Sequence, residues 1–195
     1  MTVQAMAPAS RNRLPLIMIF LIPFGGMGLA AWMYFSGQMI PDSRNHQGNL
    51  IWPPVPVAEF QWSEQRGGIF SSQKLDEQWG VVVVPDGACG SVCRETLFKT
   101  RQAHIALGRR AERLSRYLVL SEQGSERLTV FLDDEHQGIE LLKGKMPKIN
   151  NHPNDSVRVF VIDPLGNVML WFNQEHSGKQ ILKDLEKLLK NSRIG

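Results

Sequence analysis

The chain has 195 residues, 43% of them apolar and 21% charged, with two cysteines. That suits one domain of ordinary size plus an appendage, and excludes collagen-like, low-complexity and fully disordered classes, a disulfide-dense scaffold and a four-cysteine zinc site. The net charge of +3 is mostly N-terminal: Arg11 and Arg13 precede the first acidic residue, Asp42, and from residue 41 onward 20 basic residues face 19 acidic ones. No clustered basic face of the kind nucleic acid requires is evident, and no nucleic-acid partner is expected.

Leu14 to Phe35 is free of charge, and the uncharged run continues to Pro41. A bilayer core needs roughly 20 such residues as a helix. Pro15, Pro23, Gly25, Gly26 and Gly28 weaken a soluble helix but are tolerated in a spanning one. Trp32 and Tyr34 stand near its C-terminal end, where amphipathic rings favour the interface. The reading is a cytoplasmic N-terminus over 1–13 and a transmembrane helix over 14–36. Arg11 and Arg13 hold the N-terminus inside, so the rest lies on the far side, in a bacterium the periplasm. A cleaved signal peptide is the rival; its apolar core is typically about 7–15 residues, and Leu29-Ala30-Ala31 fits a cleavage site poorly.

Residues 37–77 read as a periplasmic linker rich in proline and glycine. Ile51 to Pro56 is extended, because residues before proline avoid the helical region. Phe60 and Trp62 alternate with polar neighbours, which allows a short edge strand. His46 reads as a solvated loop histidine.

The globular domain, 78–195, opens near Trp79. Val81 to Val84 is a β-branched run closed by Pro85, the pattern of a strand buried on both faces. Asp86-Gly87-Ala88 makes a turn. Cys89-Gly90-Ser91-Val92-Cys93 then leads into a helix-compatible stretch reaching about Arg113. Tyr117 to Leu120 is a second strand, Ser125 to Asp134 fits a helix or a strand, and Ile139 to Leu142 is a further strand. Arg158 to Ile162 and Val168 to Phe172 flank Asp163-Pro164-Leu165-Gly166, turn chemistry that joins them as an antiparallel hairpin. Ile181, Leu182, Leu185, Leu188 and Leu189 recur at helical spacing, an amphipathic terminal helix. Asp133 to His136 reads as a solvated turn, and Arg109, Arg110, Arg113 and Arg116 as a solvated helix face. No phosphate loop, nucleophile elbow or zinc-protease motif occurs.

The chemistry sits at Cys89 and Cys93. At i and i+4 on one helical turn they share a face, within the roughly 4.4–6.8 Å Cα window of a disulfide. A helix N-terminus lowers a thiol's pKa, and Arg94 adds to that. Two such thiols either cycle between dithiol and disulfide or clasp a soft metal such as Cu(I); a static structural disulfide is the third reading.

Val81 to Leu97, with its cysteine pair after a hydrophobic strand, resembles the Sco branch of the thioredoxin-like fold. Ser156 to Gly166 resembles that family's penultimate hairpin. Asn45-His46 with Gly48 and Leu50, Gly87-Ala88-Cys89, Thr100-Arg101-Gln102 and the Ser192 to Gly195 ending are similar to short anchored Sco-like proteins of bacterial cytochrome oxidase gene clusters. The resemblance implies an α/β, thioredoxin-like domain with a central mixed sheet. It also implies a bacterial inner-membrane assembly factor for cytochrome c oxidase, acting in copper delivery or thiol redox, with oxidase subunits or other assembly factors as partners. On that reading Cys89 is the attacking thiol and Cys93 resolves it or serves as second copper ligand. The family's histidine ligand falls at the slot of Asp155, which leaves His152, three residues earlier, as the candidate third ligand. Any enzymatic activity is at most that of a thiol–disulfide reductase. A non-catalytic interaction module with a structural disulfide is the alternative.

Overall fold

The computed structural model describes residues 13–36, 46–65, 67–121, 126–148 and 155–192. The chain divides into two compact units, Met1–Arg44 and Asn45–Gly195. In the first, helix α1 (Leu14–Ser36) is long and apolar enough to cross a membrane.

The second unit is built on one seven-stranded sheet. Its elements in chain order are β1 (Asn49–Pro56), β2 (Ser63–Glu64), α2 (Ser72–Leu75), β3 (Trp79–Pro85), α3 (Ser91–Ala106), β4 (Leu114–Leu120), α4 (Glu126–Glu135), β5 (Ile139–Lys143), β6 (Val157–Ile162), β7 (Asn167–Asn173) and α5 (Gly178–Asn191). The spatial order is β1-β7-β6-β3-β4-β5-β2. β3 runs parallel to β4 and antiparallel to β6, and β4 is parallel to β5, so the sheet is mixed. The valine run puts β3 at the centre, where all seven of its residues are buried. A strand covered on both sides has no use for polar alternation.

One face of the sheet packs Val81, Val83, Leu118 and Val159 against Leu97 of α3, Leu128 and Leu132 of α4, and Ile181, Leu185 and Leu189 of α5. The last three recur at helical spacing, and α5 opens with a capping box between Ser177 and Gln180. The other face packs Val82, Val84, Tyr117 and Phe160 against Val57, Trp62, Phe70 and Leu75.

Those last four residues lie in the stretch expected as a linker, and here the structure differs from the sequence reading. From β1 onward the stretch is folded, and it supplies both edge strands: β1 pairs with β7, β2 with β5. Between them a 3-10 turn (Val57–Phe60) carries the chain on to Trp62. Trp62 is fully buried, its indole donates to the Lys145 carbonyl (3.1 Å), and its ring lies 5.7 Å from Phe160. The prolines do not prevent this, because an edge strand tolerates residues without an N–H.

The hairpin turn also depends on this segment. Gly166 has φ +87°, and a Cβ there would stand 2.6 Å from Cβ of Ser72. Asp163 closes the turn by accepting from the Leu165 and Asn167 amides. At the other end, buried Asp184 accepts from the amides of Gln47 and Gly48, which ties the start of the unit to α5.

Other boundaries shift as well. The helix expected to reach Arg113 ends at Ala106 and gives way to a 3-10 helix (Gly108–Arg113). The stretch open to helix or strand is α4. Arg113 donates to the Leu189 and Ser192 carbonyls at the end of α5, a favourable place for a cation.

Candidate functional site

β3 ends at Pro85, Gly87 turns the chain at φ +97°, and Gly90 is the N-cap of α3. Cys89 and Cys93 bracket this junction and are joined as a disulfide, with their Cα atoms 5.1 Å apart. The expectation of one shared helical turn needs correcting. Cys89 stands before the N-cap, outside the helix, while Cys93 is the third residue inside it. A chain leaving a strand must turn before its helix can begin, and Gly90 takes the extended conformation of a cap.

The two sulfur atoms have different surroundings. Cys93 is 1% exposed and belongs to the helix-covered core; Cys89 is only partly buried against it. The first amides of α3 have no intrahelical acceptors, so they favour a thiolate released at Cys93. The Arg94 guanidinium, next in sequence to Cys93, lies over the Phe131 ring, 5.3 Å from the centroid.

Among the described residues no third ligand stands with the pair. Asp155 accepts from Nε of Arg158 at 3.0 Å and from the Asn173 amide at 3.4 Å. Arg158 in turn lies over the Trp171 ring. This carboxylate is committed to a buried ion pair and is a hard donor for a soft metal. His152 lies outside the described residues. Among the described residues no three His, Cys, Asp or Glu side chains are grouped to hold a metal. His46 places Nδ1 2.7 Å from the Gly48 carbonyl, so it is bound to backbone where a solvated loop histidine was expected.

The model of a transmembrane-like, thioredoxin-like C-terminal domain matches residues 79–192. The chain belongs to this family. No curated protein matches its sequence. Among solved structures it is similar to Arabidopsis thaliana ScoI with copper bound, at 12% identity and a TM-score of 0.51, covering 74% of this chain and 99% of that one. It is similar to yeast Sco1 with copper bound, at 16% identity and 0.51, covering 75% and 90%. It is also similar to BsSco, at 14% identity and 0.50, covering 72% and 96%; that protein is described by a disulfide switch and as a Sco-family cytochrome c oxidase assembly protein. At these identities the likeness is one of fold, and it bears out the thioredoxin-like, Sco-type architecture. The family match begins at Trp79, so α2 and the two edge strands that complete the sheet, β1 and β2, lie outside it.

Two residues of this region were read from sequence as solvated and are not. Arg116, assigned to a basic helix face, is the third residue of β4 and 7% exposed; His136, assigned to a polar turn, is 1% exposed. Asp133, Asp134 and Glu135 are exposed, as expected.

Proposed function

We propose that this family member is a membrane-tethered thiol–disulfide exchange protein serving cytochrome c oxidase assembly, with Cys89 and Cys93 as its redox pair. The observation that carries the reading is the asymmetry of the disulfide at the strand-to-helix turn. An attacking client thiolate reaches the sulfur of Cys89, while buried Cys93 is the leaving group at a helix N-terminus. A bond then forms between the client sulfur and Cys89, and the Cys89–Cys93 bond breaks, leaving Cys93 as thiolate. A second client thiol displaces Cys89. The client ends as a disulfide, and the pair as a dithiol that has taken up two electrons and two protons. The reverse sequence reduces a client disulfide.

Copper delivery is the other activity carried by the Sco likeness. The donor set favours exchange over it. The two sulfurs are bonded to each other, and Asp155 is held by Arg158. Copper as cargo needs both thiolates reduced and a further donor, for which His152 is the sequence's candidate. The proposed setting is the bacterial inner membrane: 14–36 spans it, Arg11 and Arg13 keep 1–13 cytoplasmic, and the folded unit faces the periplasm, with oxidase subunits or other assembly factors as clients.

The test separates the two cysteines. Cys93→Ser leaves the accessible thiol without its resolving partner and accumulates mixed disulfides with clients on non-reducing gels; Cys89→Ser does not. Absence of such adducts, together with a disulfide potential below about −300 mV, marks a static structural bond and overturns the reading. Oxidase activity in membranes of the Cys89→Ser, Cys93→Ser strain tests the assembly role, which fails if activity is unchanged.

A further inference from the structure

Arg116 and His136 meet in the interior. Arg116 shares its strand face with Leu114, Leu118 and Leu120, all members of the helix-covered core. Its Nη2 donates to the Gln137 carbonyl at 3.1 Å, which brings the guanidinium to the turn between α4 and β5. His136 is the first residue after α4, its ring 4.9 Å from Phe131 and its amide bonded to the Leu132 carbonyl. Nη1 of Arg116 and both ring nitrogens of His136 are buried without any hydrogen-bond partner.

The charges that bear on them from α3 are cationic. Arg101 of α3 acts electrostatically on Arg116 and His136, and Arg116 acts on His136 and on His104, whose Nε2 stands 3.1 Å from the Leu114 carbonyl at the start of β4. The acid felt by His136 is Glu135, which is exposed. A guanidinium cannot shed its proton to escape burial. A buried cation that keeps its charge requires an opposite charge or a full set of acceptors. Among the described residues Arg116 has one carbonyl and no carboxylate partner.

We propose that Arg116 and His136 form a binding site for a small inorganic anion of the halide class, enclosed by α3, β4 and the α4–β5 turn. Arg116 Nη1 donates to the ion and neutralises it; His136 donates a second N–H, since either ring nitrogen can carry the proton. Both residues are almost fully buried, and a monatomic ion needs less room and fewer donors there than phosphate or sulfate. Phe131 touches both His136 and Arg94, so an occupied site braces α4 against the first turn of α3. The site is separate from the cysteine pair and does not depend on the function proposed above.

The experiment uses the full chain in detergent, in sodium chloride, bromide or gluconate at equal ionic strength. Chloride and bromide are expected to raise the thermal midpoint, saturably and by roughly 5 °C relative to gluconate, the size of shift a well-occupied site gives a domain of this length. Arg116→Met is expected to abolish the difference. Equal midpoints in the three salts, or an undiminished halide shift in Arg116→Met, overturn the proposal. Crystals grown in bromide decide it without any variant: an anomalous peak within hydrogen-bonding distance of Arg116 Nη1 supports the site, and no peak there overturns it.

Discussion

The two faces of the sheet are covered by different kinds of chain. On one side α3, α4 and α5 lay regular apolar stripes over Val81, Val83 and Val159. On the other, a single irregular segment holds the surface through Val57, Trp62, Phe70 and Leu75. The helical cover is an array of modest contacts repeated by periodicity. The irregular cover depends on a few large side chains and the backbone that places them. It lies outside the matched family segment, yet the sheet could not be buried without it.

The sharpest way to break this comparison is truncation on both sides. Trp62→Ala removes the main ring of the irregular cover and is expected to cost about 3–5 kcal/mol, against about 2–5 for Leu97→Ala on the helical side. Denaturant unfolding of the full chain in detergent measures both. A Trp62→Ala loss under about 0.5 kcal/mol would mean that the segment is a dispensable linker after all. Next in size is Gly166→Ala, expected to cost about 1–3 kcal/mol, because the turn needs a positive φ and a methyl would press on Ser72. If a midpoint shift of that size persists in a Ser72→Gly background, the strain is in the turn itself rather than in the contact between hairpin and cover.

How much of this was visible in the sequence follows the same division. The valine run of β3, the Asp163 turn and the apolar stripe of α5 carry periods of two or 3.6 and could be read directly. Phe60 and Trp62 gave a hint of a short edge strand, but Phe70 and Leu75 stand among glycines and polar residues with no period, so the extent of the folded cover was not legible. The cysteine pair was legible from its spacing and its place after β3. That Cys89 lies outside the helix was not, because it depends on Gly90 acting as the cap. Arg116 was misplaced because four arginines at close spacing imitate one helix face, whereas the 3-10 helix stops at Arg113 and Arg116 already belongs to the sheet.

Two smaller predictions probe the helical side. Ser177→Ala removes the capping box of α5 and is expected to cost about 1 kcal/mol in denaturant unfolding. Stability should also fall with acid. The pKa of His104 is lowered from 6.5 by burial and then by Arg116, and that of His136 by burial and then by Arg116 and Arg101. A folded-state pKa below the unfolded one means that the unfolded chain binds more protons. The contribution is therefore fully present above pH 6.5 and is lost as pH falls through 6.5 toward the lowered folded values. His104→Gln is expected to flatten the fall in thermal midpoint between pH 7 and 5 in gluconate; an unchanged slope would remove His104 from that account.

The same irregular segment also governs how the sheet ends. Its strand β1 forms one margin, and Pro53, Pro54 and Pro56 within it offer no N–H to an incoming strand; the opposite margin, β2, is two residues long. Both borders are poor templates for pairing with another copy of the chain. A domain gathered on a surface by its tether meets its own copies far more often than one free in solution. The proline-rich stretch therefore acts as insulation, keeping crowded neighbours from joining sheet to sheet.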